Sequence, residues 1–189
     1  MSGWHSHGQG HYSEGQAARI MAEVMEAVCF LHAQGIIHFD LKPENIMLAG
    51  VGDELVPEVK LADFGSAFWQ HRDVAGAKDF TTAYSAPEVL TQGHVDEKVD
   101  VWALGVVMWV LLSGRHPFDT SRGLGEEEVA RRVTSEEPDL QGMRHVSPEG
   151  KDLVRRLLAK DPRDRPSARQ ALTHPWFQAV VGRRPARLR

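Results

Sequence analysis

The stretch His38-Phe39-Asp40-Leu41-Lys42-Pro43-Glu44-Asn45 places an acid, a base and an amide close together around one proline. Asp40 can accept a proton from a hydroxyl group, and Lys42 can neutralise the charge of a phosphoryl oxygen. Asn45 can ligate a hard cation through its side-chain oxygen. Positioning and charge neutralisation are the main contributions to the catalysis of phosphoryl transfer. The stretch therefore predicts a site for that chemistry.

Length, charge and cysteine content limit the classes of protein to consider. The 189 residues suit one domain, or one large lobe of a larger domain, and the net charge of -4 argues against nucleic acid as the main partner. The single cysteine, Cys29, excludes an internal disulfide framework. Residues 101–112 are apolar but too few to span a membrane, and no signal peptide is evident. We expect a cytoplasmic or nuclear protein with neither nucleic acid nor membrane as a partner.

The hydrophobic pattern predicts mainly helices with one small β-hairpin. The first helix is predicted over residues 13–35, with Ser13 as its N-cap and Gly35 as its end. Two short strands at 45–49 and 58–62 form the hairpin. Residues 66–84 show no hydrophobic periodicity and are predicted to be a loop. Further helices are predicted at 88–91, 100–113, 126–135, 148–158 and 167–172.

Two more motifs follow the opening stretch in order. Asp63-Phe64-Gly65 comes after the predicted hairpin, and Ala86-Pro87-Glu88 comes after the predicted loop. The three ordered motifs resemble those of the eukaryotic-type serine/threonine protein kinases over residues 10–177. The resemblance implies the C-terminal lobe of that fold, which is mainly α within an α+β family. It also implies ATP and Mg²⁺ as cofactors and a protein with a Ser or Thr acceptor as substrate.

The resemblance implies a role for each matching residue near the nucleotide. Asp40 is expected to be the catalytic base, and Lys42 to contact the phosphoryl group that is transferred. Asn45 and Asp63 are the expected Mg²⁺ ligands. Met47 is expected to pack beneath the adenine ring.

Other matching residues are expected to face the substrate or to hold the scaffold. Glu44 is assigned to the nucleotide site and also to recognition of an arginine in a basophilic substrate. A solvated loop charge remains the alternative for Glu44. Thr81 matches the hydroxyl that contacts the base and the lysine in serine/threonine kinases. The residues expected to serve the scaffold are His38, Phe64, Glu88, Asp100 and Arg165.

Two departures from the family pattern concern the regulatory switch. Phe39 occupies the position of the usual arginine, which in the family receives a phosphate on the activation loop. Residues 67–80 contain no Ser, Thr or Tyr. We therefore expect a kinase that does not depend on activation-loop phosphorylation. The opening stretch, with Gly-His-Tyr-Ser-Glu upstream at 10–14, resembles the calcium/calmodulin-dependent and death-associated branch.

A third departure concerns the nucleotide cleft. The 189 residues contain no Gly-rich loop and no strand lysine, so the N-terminal lobe is expected to be absent and the activity of the isolated chain to be very low. We divide the chain into a flexible leader (1–10), the lobe (11–180) and a basic tail (181–189). A missing lobe or a regulatory segment is an expected partner, and Met47 and Phe64 are expected to be uncovered. The alternative is a non-catalytic binding or scaffold module.

Overall fold

Helices make up most of the ordered elements in the computed structural model, which describes residues 11–49, 58–70, 81–118 and 124–181. The helices are α1 (Glu14–Ala33), α2 (Pro87–Leu90), α3 (Lys98–Ser113), α4 (Glu126–Ser135), α5 (Pro148–Leu157), α6 (Ala168–Leu172) and α7 (Pro175–Val181). The strands are β1 (Ile36–Ile37), β2 (Ile46–Ala49), β3 (Glu58–Leu61) and β4 (Phe68–Trp69). The predicted leader and nearly all of the predicted basic tail lie outside the described residues. None of the described helices is both long and apolar enough to cross a bilayer.

Helix α3 is the centre of the hydrophobic core. Its residues are buried on every face, and α1 and α5 pack against it. Gly105 permits this close packing, because a Cβ atom there would come within 2.8 Å of Leu158 Cδ2 and 2.9 Å of Leu157 Cβ. The helix predicted over residues 100–113 is therefore present and lies buried at the centre of the fold.

Helix α1 leads the chain into the quoted stretch. Ser13 caps it, since the Ser13 Oγ accepts from the Gln16 backbone N–H at 3.3 Å and the Gln16 Oε1 accepts from the Ser13 N–H at 3.1 Å. The helix stops before Gly35, whose φ of 73° lies in the left-handed region that glycine adopts without strain. β1 follows at once, and the catalytic-type motif comes directly after it.

Two antiparallel sheets of two strands each border this motif. β2 pairs with β3 from Ile46↔Leu61 to Ala49↔Glu58, which confirms the predicted hairpin. Its connection, residues 50–57, lies outside the described residues. β1 pairs with β4 through Ile36↔Trp69 and Ile37↔Phe68.

The second sheet shows that the prediction of a continuous loop over residues 66–84 was wrong in part. β4 forms because the backbone of Phe68–Trp69 finds partners in β1, whereas the pattern of 66–84 alone shows no period. Thr82–Tyr84 forms a 3₁₀ turn. Residues 71–80, between these two elements, lie outside the described residues.

Element boundaries differ from the predicted ones where proline or side-chain caps decide them. Asn45 belongs to the 3₁₀ turn Pro43–Asn45, so β2 starts at Ile46. α2 starts at Pro87, a residue favoured at the first helical position. α3 starts at Lys98 instead of residue 100, and the Asp96 Oδ1 accepts from the Lys98 N–H at 2.9 Å at that start.

Candidate active site

A buried carboxylate holds the turn that precedes Asp40. The Asp100 Oδ1 accepts from the Phe39 N–H at 2.8 Å, and the Asp100 Oδ2 accepts from the His38 N–H at 2.9 Å. The His32 Nε2 lies 2.8 Å from the same Oδ2 and must donate, since an ionised carboxylate can only accept. These three donors offset the cost of burying the Asp100 charge. Asp100, from the central helix, thus fixes the backbone of the turn.

Phe39 adopts an unusual backbone conformation within this turn. Its φ of 70° is in the left-handed region, which costs about 1 kcal/mol or more for a residue with a side chain. Its half-buried ring meets the Phe68 ring edge to face, with 5.2 Å between centroids. The two Asp100 hydrogen bonds and this ring contact hold the conformation that leads to Asp40.

The Asp40 carboxylate is the centre of a hydrogen-bond network. The Lys42 Nζ donates to the Asp40 Oδ2 at 2.6 Å, and the Asn45 Nδ2 donates to the same oxygen at 3.0 Å. The Thr81 Oγ1 donates to the Asp40 Oδ1 at 3.0 Å and accepts from the Lys42 Nζ at 2.9 Å. The Asn45 Nδ2 also donates to the Asp40 backbone carbonyl at 2.8 Å. Two residues of the same short stretch and one residue from position 81 thus donate to one carboxylate.

Asp63 lies at the end of β3 and is exposed. Its φ of 57° is also left-handed, and its Oδ1 accepts from the Gly65 N–H at 3.2 Å. The preceding residue, Ala62, donates its N–H to the Asn45 carbonyl at 2.9 Å, which joins this segment to the catalytic-type turn. Within the described ranges no three His, Cys, Asp or Glu side chains are grouped as a metal site. The two predicted ligands offer an amide and a carboxylate oxygen, both of the hard type that Mg²⁺ prefers.

An apolar surface lies beside this segment. The His38 ring is buried against Phe64, with 4.9 Å between centroids, and the His38 Nε2 lies 3.1 Å from the Ala62 carbonyl oxygen. Phe64 is 47% exposed and Met47 is 59% exposed. Two large apolar side chains are thus open to solvent next to the predicted nucleotide site.

Glu44 lies on the exposed side of the 3₁₀ turn, near the Thr82–Tyr84 turn. Burial, and secondly the negative charge of Glu44, raise the pKa of Tyr84 above its usual range. The Glu44 carboxylate is therefore close enough to act electrostatically on the segment that follows Thr81.

Glu88 and Arg165 form a buried ion pair away from Asp40. The guanidinium Nη1 and Nη2 atoms donate to the two Glu88 oxygens at 2.6 and 2.7 Å. Arg165 also donates to the backbone carbonyls of Lys98, Ala159 and Lys160. The pair joins the start of α2 to the segment between α5 and α6, which is a scaffold contact.

Some contacts of the site had no counterpart in the sequence reasoning. His32, in the last turn of α1, reaches Asp100, and Gln70 Nε2 donates to the Glu97 Oε2 at 2.5 Å. A histidine in the last turn of a helix was the one available signal for His32. Nothing in the local pattern brings Phe68 to Phe39, since their contact depends on the pairing of β1 with β4.

Comparisons with known proteins agree with this arrangement. A family model described as the protein kinase domain matches residues 4–177. The serine/threonine-protein kinase PKZ1 of Phytophthora infestans is 40% identical over 195 residues, covering 95% of this chain and 49% of the relative. CDPK-related kinase 4 of Arabidopsis thaliana is 39% identical, covering 89% of this chain and 28% of the relative.

The human calcium/calmodulin-dependent protein kinase type IV is 38% identical, covering 89% of this chain and 35% of the relative. The chain thus spans about half or less of the length of these curated relatives. The match of a protein kinase model to nearly the whole chain shows that the chain belongs to the protein kinase family, in which it resembles serine/threonine kinases of the calcium/calmodulin-dependent kind.

Proposed function

We propose that this chain forms the large lobe of a serine/threonine protein kinase that transfers the γ-phosphoryl group of ATP to a protein hydroxyl. The observation that carries the proposal is the Asp40 carboxylate, which Lys42, Thr81 and Asn45 hold at 2.6 to 3.0 Å. A fixed carboxylate can accept the proton that leaves the substrate hydroxyl. The ammonium group beside it can neutralise the negative charge that moves between oxygens during phosphoryl transfer.

Asp40 is the residue that accepts the proton from the substrate hydroxyl. Its hydrogen bonds fix the carboxylate in one orientation, and its half-buried position leaves a side open to an incoming hydroxyl. Lys42 bridges Asp40 and Thr81, so its ammonium group lies where it can also neutralise a phosphoryl oxygen. Thr81 fixes the acceptor side of the same site.

Asn45 and Asp63 are the proposed ligands for Mg²⁺. Both hydrogen bonds of the Asn45 side chain use its amide nitrogen, which leaves the oxygen as the group that can ligate a cation. When bound, Mg·ATP supplies the phosphoryl group and a cation that neutralises its charge. Met47 is the residue proposed to pack beneath the adenine ring, and Glu44 is assigned to the nucleotide site.

The division into a leader, a lobe and a tail belongs to the same proposal. Exposed Phe64 and Met47 support a second lobe that covers them and completes the nucleotide site. We propose that this covering unit belongs to the full protein or to a partner.

We further propose a preference for basic substrates. Glu44 is exposed, and its charge contributes, after burial, to the raised pKa of Tyr84, which supports a role for its carboxylate near the peptide that approaches Asp40. An arginine side chain upstream of the acceptor would pair with it.

We also propose that activation does not require a phosphate on the loop. Phe39 cannot pair with a phosphate, and it instead packs on Phe68 at the start of that segment. The Gln70 N–H donates to the Gly35 carbonyl at 2.8 Å, which extends the β1–β4 pairing. Apolar and backbone contacts thus take the place of an ionic switch.

Phosphotransfer from γ-labelled ATP to an array of Ser and Thr peptides tests the proposed function on the protein that contains this chain. We expect Mg²⁺-dependent labelling, with arginine-containing peptides labelled most strongly. Asp40→Asn should lower the rate by about 10²- to 10⁴-fold, the usual contribution of a general base.

Asp164→Asn is the matched control, because Asp164 is an exposed acid of the Pro162–Asp164 turn. It should label peptides at the wild-type rate. If the wild-type protein labels no peptide, or if Asp40→Asn labels them equally well, the proposed function is wrong and a non-catalytic binding module remains.

A further inference from the structure

Lys160 is a half-buried cation that lies outside the proposed catalytic network. Its Nζ lies 4.5 Å from the centre of the Phe118 ring and 5.0 Å from the centre of the Trp102 ring. The two rings are stacked, with 5.7 Å between centroids and 7° between planes. An ammonium group this close to two buried aromatic rings is stabilised by both of them.

The same ammonium group also holds the end of α4. It donates to the Val133 carbonyl oxygen at 2.6 Å, one of the last four carbonyls of that helix. Those carbonyls lack partners within the helix and carry its partial negative charge, so a cation there is favourable. Lys160 therefore fastens the C-terminal turn of α4 to Trp102 of α3.

Two glutamates and one arginine act electrostatically on Lys160. Glu136 and Glu137, just beyond α4, favour its charged form, and Arg165 opposes it. Arg165 also lies over the Trp102 ring at 5.1 Å and donates to the Lys160 carbonyl. Burial outweighs the two glutamates and lowers the pKa of Lys160 to about 8.

Helix α4 in turn packs against the Thr82–Tyr84 turn and against α2. Thr81, directly before that turn, donates to Asp40. The α4 helix thus supports the turn that directly follows a residue bonded to Asp40.

We propose that Lys160 is a positioning residue for the protein substrate, which holds the C-terminal end of α4 on α3 so that α4 supports the Thr82–Tyr84 turn. The substrate part of this inference rests on the proposed kinase function. Lys160 acts through α4 and touches no reacting atom.

Amide hydrogen exchange tests the structural part without any need for activity. Lys160→Met keeps an unbranched side chain against the rings but removes the charge and the donor. We expect exchange in α4 and in residues 82–84 to rise about tenfold, while α1 and α3 keep wild-type protection. Lys160→Arg keeps a cation and a donor and should restore protection.

The control is Lys60→Met, since Lys60 is exposed and forms a surface ion pair with Glu58 of β3 across 3.4 Å. It should leave exchange in α4 unchanged. Unchanged α4 exchange in Lys160→Met would refute the positioning role. Equal increases in α1 and α3 would also refute it, because they would show a general loss of stability.

The substrate part is tested by steady-state kinetics with a peptide that the wild-type protein phosphorylates. Lys160→Met should raise the KM for the peptide about tenfold, with unchanged KM for ATP and unchanged kcat, and Lys160→Arg should reverse the effect. An unchanged peptide KM would refute the substrate role. Absence of wild-type phosphotransfer would refute both the proposed function and this substrate role, whereas the exchange experiment still decides whether Lys160 positions α4.

Discussion

The pairs Asp40–Lys42 and Glu88–Arg165 each join an acid and a base across 2.6 Å, yet they differ in what surrounds them. The Asp40 and Lys42 side chains are 11% and 21% exposed, whereas those of Glu88 and Arg165 are 8% and 0% exposed. Asp40 and Lys42 also share a third partner, Thr81, whose hydroxyl accepts from Lys42 and donates to Asp40. The two carboxylates are almost equally buried, so the exposure of the cation, more than distance, separates the Asp40–Lys42 pair from the Glu88–Arg165 pair.

The loss of one member should therefore have a different consequence in each pair. Lys42 is the more exposed cation, and Asp40 also accepts from Asn45 and Thr81, so the loss of Lys42 removes a reactive group while Asp40 keeps two donors. Arg165 binds both Glu88 oxygens and three carbonyls inside the protein, so the loss of one member leaves a charge without its partner.

Arg165→Met should have the largest effect on stability. It leaves the Glu88 carboxylate buried without its guanidinium partner, which should lower the free energy of unfolding by about 3–5 kcal/mol. Urea denaturation followed by circular dichroism measures the change. Arg163→Met is the control, since Arg163 pairs with Asp161 at the surface and its loss should not be measurable. Equal stability of Arg165→Met and the wild type would show that the Glu88–Arg165 pair does not stabilise the fold.

Asp100→Asn should have the next largest effect. The amide can accept through one oxygen only, whereas Asp100 accepts from His38, Phe39 and His32. At least one buried donor then loses its partner, which should lower the free energy of unfolding by about 2 kcal/mol. The same denaturation experiment measures it, with Asp164→Asn as the surface control. A neutral result would mean that the turn before Asp40 is held by other contacts.

Two substitutions of Phe39 distinguish the contribution of its ring contact from the cost of its backbone conformation. Phe39→Ala removes the contact with Phe68 and should lower the free energy of unfolding by about 1 kcal/mol. Phe39→Gly also loses the ring, but glycine adopts a φ of 70° without strain, so this variant should be more stable than Phe39→Ala. Thermal unfolding of the two variants side by side measures the difference. The opposite order would contradict the account of a strained turn.

The smallest expected effect is the contribution of Lys160 to the pH dependence of stability. Burial holds the pKa of Lys160 at about 8 in the folded protein, below its ordinary value. The unfolded chain then binds more protons above pH 8, so stability relative to Lys160→Met should rise as pH increases from about 8 to 10. Because the side chain is partly exposed, we expect a gain of less than about 1 kcal/mol. Urea denaturation across this pH range measures this gain. A fall in relative stability would contradict a lowered pKa of Lys160 in the folded protein.

The local parts of the fold could be predicted because they depend on neighbouring residues. The Ser13 cap, the Gly35 end of α1 and the apolar pattern of α3 follow from residues within a few positions of each other. The β1–β4 pairing could not be predicted, since two-residue strands carry no period and depend on partners distant in sequence.

The candidate site was predictable to a different extent. Asp40, Lys42 and Asn45 occur in one short stretch, and their order with the later motifs indicated the family. The resemblance also placed Thr81 beside Asp40. The contacts of Lys160 with Phe118 and Val133 could not be predicted, because they depend on how α3, α4 and the segment after α5 pack together.

The most direct test measures phosphotransfer rate and free energy of unfolding on the same preparations of Asp40→Asn and Glu88→Gln. We predict that Asp40→Asn loses phosphotransfer and lowers the free energy of unfolding by no more than about 2 kcal/mol, because one of its three donors loses an acceptor. Glu88→Gln should lower it by about 3–5 kcal/mol, because it leaves the buried Arg165 charge without its partner. Retained phosphotransfer in Asp40→Asn, or an equal loss of stability in both variants, would contradict the separation of a chemical pair from a scaffold pair.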